Sequence, residues 1–172
     1  VLDGGAGADT LDGLAGNDTY ILDNVLDTVS ELAGGGLDTV VAAGNFNYTL
    51  AADFENLTLQ GGVVVGNAVP FTGQSGTGNA RDNVIIGSSA NNALSGLDGN
   101  DTINGGGGID SLSGGLGNDT FAFSSVADIG TGAGNRDTIT DFAVGDLIDL
   151  TAIDANTALA GHQAFTFVGG NG

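Results

Sequence analysis

Hydrophobic and polar positions along this chain recur every nine residues. Gly78, Gly87, Gly96, Gly105 and Gly114 form one column, with Asn83, Asn92, Asp101, Asp110 and Asp119 five places later. Two places beyond stand Ile85, Leu94, Ile103, Leu112 and Phe121. The unit is G-x-x-x-x-[D/N]-x-apolar-x, fullest at GLDGNDTIN, GGGGIDSLS and GGLGNDTFA. It also opens the chain as GGAGADTLD and GLAGNDTYI, and LDNVLDTVS keeps Asp27 and Val29 in phase without glycines.

Each unit pairs a Gly-rich half, suited to turns that need positive φ, with a short T-apolar-x half whose β-branched and apolar residues suit a strand. Turn, strand, turn, strand predicts an all-β flattened solenoid with two units per coil. Same-side turns then lie eighteen residues apart, strands stack in parallel, and apolar side chains point inward.

After Asp27 the register slips by two residues to Asp38, in GGGLDTVV. From there the polar column runs through Asn47, Asn56, Asn83, Asn92, Asp101, Asp110, Asp119, Asp128, Asp137 and Asp146, interrupted at Val65 and Gln74. Around NYTL and NLTL the hydrophobics Tyr48, Leu50, Leu57 and Leu59 fall one place to either side. That offset predicts that they turn to the opposite strand face. The expected organisation is N-terminal repeats cut from a longer array (1–41), an irregular β connection (42–77), a regular roll (78–122) and a C-terminal capping region (123–172).

Charge changes the picture more than composition does. The chain of 172 residues carries 21 acids, 19 of them Asp, against Arg81 and Arg136, for a net charge of −19. Such a chain repels itself unless cations bind. Disorder is the alternative reading of high acidity, but hydrophobics at 41% leave enough apolar material to bury once charge is neutralised. The dearth of Lys and Arg argues against nucleic acid as a partner. No apolar run is long enough to insert in a membrane.

The chemistry on offer is oxygen. Ca²⁺ takes six to eight oxygen ligands, and a Gly-rich turn ending in Asp offers carbonyls plus a carboxylate. Softer metals lack donors, since there is no Cys and the single histidine, His162, stands alone in AGHQAF. No EF-hand loop, H-E-x-x-H motif or G-x-S-x-G elbow occurs, so no catalytic residue and no organic cofactor site is expected within the segment.

These nonapeptides resemble the RTX family, the repeats-in-toxin proteins with the unit G-G-x-G-x-D-x-U-x. The resemblance implies a right-handed parallel β-roll filled with several Ca²⁺ ions. It implies that carbonyls one, three and five of one turn share an ion with carbonyls two and four and the Asp of the next same-side turn. Gly96, Asp98 and Asn100 would thus share an ion with Gly115, Gly117 and Asp119. Gly87, Ser89 and Asn91 would pair with Gly106, Gly108 and Asp110, and Gly78, Ala80 and Asp82 with Leu97, Gly99 and Asp101. Gly114, Leu116 and Asn118 would join Asp137. Asp9 and Asp18 would close sites with turns upstream of Val1, Asp27 would share an ion with Ala6 and Ala8, and Asp38 would be a further ligand. Asn83 and Asn92, standing where Asp is usual, would weaken the sites they complete.

Residues 136–154, RDTITDFAVGDLIDLTAID, resemble the element that closes the β-roll in serralysin-type proteases. That likeness implies metal roles for Asp137 and Asp141, with Ile139, Phe142, Ile148 and Leu150 capping the core.

Three functions fit. One is a module that folds on extracellular Ca²⁺ and supports the type I secretion and stability of a larger secreted or surface-bound bacterial protein, whose enzyme or adhesin domain lies elsewhere. The second is a structural subunit that self-associates into a layer or filament through Ca²⁺. The third is a carbohydrate-binding module, which with two arginines would hold an anionic polysaccharide through bridging Ca²⁺.

Overall fold

The computed structural model describes residues 1–61, 73–126, 128 and 136–153. Val65 and His162 lie outside them. Among the described residues there are fifteen short strands and no helix. The first seven are β1 (Leu2–Asp3), β2 (Thr10–Asp12), β3 (Thr19–Leu22), β4 (Thr28–Ser30), β5 (Thr39–Ala42), β6 (Tyr48–Thr49) and β7 (Asn56–Leu59). Then come β8 (Ser75–Thr77), β9 (Val84–Ile86), β10 (Ala93–Asp98), β11 (Thr102–Asn104), β12 (Ser111–Leu116), β13 (Thr120–Ala122), β14 (Thr138–Ile139) and β15 (Leu147–Asp149).

Successive strands alternate between opposite sheets, as turn-strand-turn-strand requires. One sheet runs β1-β3-β5-β7-β9-β11-β13-β15; the others run β14-β12-β10-β8-β6 and β2-β4. Every pairing is parallel, which makes the molecule a β-roll.

The core is two stacks of apolar side chains facing each other. In the eight-stranded sheet the register sets Leu2, Tyr20, Val40, Leu57, Ile85, Ile103, Phe121 and Ile148 in one line. The facing sheet aligns Tyr48, Gly76, Leu94, Leu112 and Ile139. Tyr20, Val40, Leu57, Ile85, Ile103, Leu112 and Phe121 are wholly buried, each contributing roughly 1.5–3 kcal/mol by leaving water.

The expectation that Leu57 and Leu59 face the opposite way is corrected: both are buried in the core. Thr39 pairs with Asn56, one residue short of an eighteen-residue coil, and this shortening returns Leu57 to the apolar line beneath Val40. Tyr48 packs against the same core. Of the expected capping residues, Ile139 and Leu150 pack against the core, and Phe142 lies at a ring-centroid distance of 6.1 Å from Phe121 while staying half-exposed.

Candidate metal centre

The turns stack as regularly as the strands, and one hydrogen bond repeats between them. At seven column residues the backbone N–H donates to Oδ1 of the column Asp one coil on. Asn83 donates to Asp101 at 2.8 Å, Asn92 to Asp110 at 2.7 Å and Asp101 to Asp119 at 2.9 Å, each eighteen residues apart. Asp9 donates likewise to Asp27 at 3.1 Å, and Asp18 to Asp38 at 2.8 Å across a coil of twenty. Near the C-terminal side the step is 27 residues, from Asp110 to Asp137 and from Asp119 to Asp146, both at interatomic distances of 2.9–3.0 Å.

That bond uses one carboxylate oxygen; the other decides the chemistry. Oδ2 of Asp9, Asp38, Asp101, Asp110, Asp119 and Asp137 is buried without any hydrogen-bond partner. An unpartnered buried carboxylate oxygen is costly, and its recurrence at six Asp residues makes them candidate cation positions. Turn carbonyls and carboxylates offer oxygen, the donor a hard divalent ion takes. The turn packs closely on the carboxylate: a Cβ at Gly114 would collide with that of Asp119. Gly115, at φ +104°, brings its backbone against the Leu97 carbonyl of the preceding coil.

Not every acid of the column is of this kind. Oδ2 of Asp27 accepts the Asn24 N–H at 3.1 Å, and Oδ2 of Asp146 accepts that of Ala143 at 2.7 Å. Asp141 is fully engaged by protein donors, with Oδ1 on the Gly114 N–H and Oδ2 on the Gly115 N–H and the Ser113 hydroxyl.

The two asparagines behave differently again. Asn83 Oδ1 accepts the Asn79 N–H at 2.8 Å while its Nδ2 donates to the Glu55 carbonyl at 3.1 Å. Asn92 Oδ1 accepts the Ser88 N–H at 2.7 Å while its Nδ2 donates to the Gln74 carbonyl at 3.1 Å. In both, a neutral amide ties neighbouring coils together where Asp leaves an oxygen open. Asn79 and Arg81 extend this tie, Asn79 to the carbonyls of Ala51 and Phe54 and Arg81 to Asp53 and Glu55.

In the metal-free roll, burial pushes Asp101 up to about 6, with Asp119, Asp82 and Asp98 adding to it and the Asn83 N–H opposing. Burial likewise lifts Asp110 to about 7, reinforced by Asp137 and Asp128 and opposed by the Asn92 N–H. Burial raises Asp119 and Asp137 as well.

Most turns paired from the sequence meet in space. Leu97 and Asp98 align with Gly115 and Leu116 in adjacent strands, and Gly99 N–H donates to the Leu116 carbonyl at 2.9 Å, stacking the Gly96–Asn100 turn on Gly117 and Asp119. The Gly87–Asn91 turn meets the next through Gly107 N–H to the Ser88 carbonyl at 3.0 Å and Ile109 N–H to Asn91 Oδ1 at 2.9 Å. A Cβ at Gly106 or Gly108 of that next turn would meet the Ser88 or Ala90 carbonyl. The turn from Gly78 through Ala80 to Asp82 lies on that of Asp101, with Asn100 N–H on Asp82 Oδ1 at 2.7 Å.

One pairing is not assembled. The turn of Gly114, Leu116 and Asn118 meets Asp146, while Asp137 lies beneath Asp110. Nine residues beyond a normal coil exchange the two sides yet keep the nine-residue column intact. Sequence reasoning also passed over Glu55, whose Oε2 accepts the Asp38 N–H at 2.9 Å in the place expected of Asn56. The one-residue shortening before β7 is the signal that points to it.

The RTX calcium-binding nonapeptide repeat model matches residues 1–29, 77–112 and 95–130, the segments that carry this turn geometry. These nonapeptides belong to the RTX calcium-binding repeat family. RTX nonapeptide repeats bind several Ca²⁺ ions in a non-catalytic β-roll. Over 80 residues, 46% of its length, this chain is 38% identical to the endo-1,3-1,4-beta-glycanase ExsH of Rhizobium meliloti (strain 1021). The match spans 15% of that glycanase.

Proposed function

We propose that this chain is a Ca²⁺-dependent folding module of a larger exported protein. The observation that carries the reading is the set of six buried Asp oxygens without a partner, each in a turn of its own. Asp9, Asp38, Asp101, Asp110, Asp119 and Asp137 supply the carboxylates, and carbonyls of the turns stacked on them complete each ion's oxygen shell. Asp27 and Asp141, whose second oxygens already accept backbone N–H groups, act as turn caps.

Without metal, the net charge of −19 and the desolvated carboxylates oppose closure of the roll. Bound Ca²⁺ reverses the balance, so its binding free energy becomes folding free energy. Extracellular calcium modules work at roughly 10⁻⁴ to 10⁻³ M, far above cytosolic levels. A chain tuned to that range stays open inside the cell, in a form suited to passage through an export channel, and closes outside. That the glycanase relative extends well beyond the matched segment supports attachment of the roll to a separate functional domain.

Far-ultraviolet circular dichroism with excess EGTA and with millimolar Ca²⁺ tests the reading. Strand signal is expected only with Ca²⁺; equal signal in both rejects it.

A further inference from the structure

The N-terminal coils hold an acidic group that the nonapeptide pattern does not contain. Carboxylate oxygens of Asp18, Glu31 and Asp38 lie within 4.8 Å of one another. Glu31 and Asp38 fall outside the residues matched by the repeat family, and Glu31 occupies no column of the repeat. It arrives because the coil between Asp18 and Asp38 is twenty residues long, with β4 leading directly into Glu31.

Three carboxylates do not converge without a counter-charge unless something compensates. Arg81 is engaged with Asp53 and Glu55. Asp38 is completely buried; Oδ1 accepts the Asp18 N–H at 2.8 Å and Oδ2 has no partner. Glu31 is held rather than loose, with Oε1 accepting the Tyr20 hydroxyl and Oε2 the Leu32 N–H at 3.2 Å. Gly13 leaves the space this contact needs, since a Cβ there would strike both the Tyr20 hydroxyl and Glu31.

We propose that Asp18 and Glu31 join the turn carboxylate of Asp38 in a three-carboxylate Ca²⁺ site, which fills before the single-carboxylate turns as Ca²⁺ rises. The proposal rests on the reading of this chain as a Ca²⁺ binder. Its particular content is that Glu31 is a ligand and that ligand charge sets the order of filling, as it sets affinity among Ca²⁺ sites generally. Ordering of the N-terminal coils then precedes closure of the turns from Asp101 to Asp137.

The site carries its own reporter. The chain has two tyrosines and no tryptophan, and the Tyr20 hydroxyl touches Glu31. Tb³⁺, a hard oxygen-seeking ion, emits under tyrosine excitation only when a tyrosine is close. The full chain is titrated with Tb³⁺ under tyrosine excitation and, in parallel, with Ca²⁺ by calorimetry, as wild type, Glu31→Gln, Tyr20→Phe and Asp101→Asn.

Sensitised emission is expected to develop with the first equivalent of Tb³⁺ and to be lost in Tyr20→Phe, which still takes up Tb³⁺. Glu31→Gln should weaken the tightest phase by about tenfold or more, whereas Asp101→Asn should leave that phase unchanged and weaken a later one. Emission that survives Tyr20→Phe, or a tightest phase unmoved by Glu31→Gln in a chain that still binds Ca²⁺, overturns this site and leaves the turns standing. Absence of any Ca²⁺ uptake by wild type overturns both. Should Glu31→Gln fail to give strand signal in millimolar Ca²⁺, the comparison of wild type with Tyr20→Phe decides.

Discussion

Replacing Asp110 by Asn should move stability in opposite directions with and without calcium. In the metal-free roll, burial lifts the Asp110 carboxyl from 3.8 to about 7. A group whose folded value is raised supports folding below its unfolded value and loses that support as pH rises through the folded one. At pH 7 the ionised side chain therefore opposes the metal-free fold by up to about 4 kcal/mol, from about three units at 1.36 kcal/mol each. Asn keeps the Oδ1 that accepts the Asn92 N–H and removes the charge. Asp110→Asn should therefore stabilise the chelated chain at pH 7, have little effect near pH 3 to 4, and raise the Ca²⁺ midpoint because the ligand is lost.

Urea unfolding followed by circular dichroism measures this in EGTA, with an osmolyte series to bring the wild-type transition into range. Asp23→Asn makes the same charge change at an exposed position and should do much less. The reasoning fails if Asp110→Asn is no more stable than wild type in EGTA at pH 7, or if its gain is undiminished in acid.

Acidifying the EGTA-treated wild type from pH 7 towards pH 4 should restore strand signal, because Asp101, raised to about 6, and Asp110, raised to about 7, become neutral in that window; a flat circular dichroism titration counts against it. Asn92→Asp removes the amide that donates to the Gln74 carbonyl, and should cost roughly 1–3 kcal/mol in denaturant melts, with Ca²⁺ recovering little of it. Gly114→Ala places a Cβ against the Asp119 carboxylate; calorimetry should show one weakened Ca²⁺ phase while Asp110 is unaffected.

The fold was legible because one period carries both strand and turn chemistry. Asp101, Asp110 and Asp119 recur every nine residues, and the apolar residue two places on lands in the core each time. Phase is legible in this way; side is not. The nine residues added between Asp110 and Asp137 beyond a normal coil are invisible to a nine-residue column, which is why Asp146 rather than Asp137 follows Asp119.

Nor does sequence spacing reveal the second oxygen of each carboxylate. Asp27 and Asp119 hold the same position of the repeat unit, yet only Asp27 has a local N–H, that of Asn24, folded back onto its Oδ2. That difference depends on loop conformation. Glu31 was overlooked for a related reason, since it lies in no column and reaches Asp18 and Asp38 only through an irregular coil.

The 27-residue steps also bear on how such arrays diversify. Because both ladders cross that step intact, the nine residues of one added nonapeptide can enter the chain without disturbing the register downstream. Counting repeats in a gene then overstates the number of coils. Such a step becomes a tolerated place for new sequence, where recognition residues could arise by drift or be grafted by design while the stacked turns on either side stay in phase.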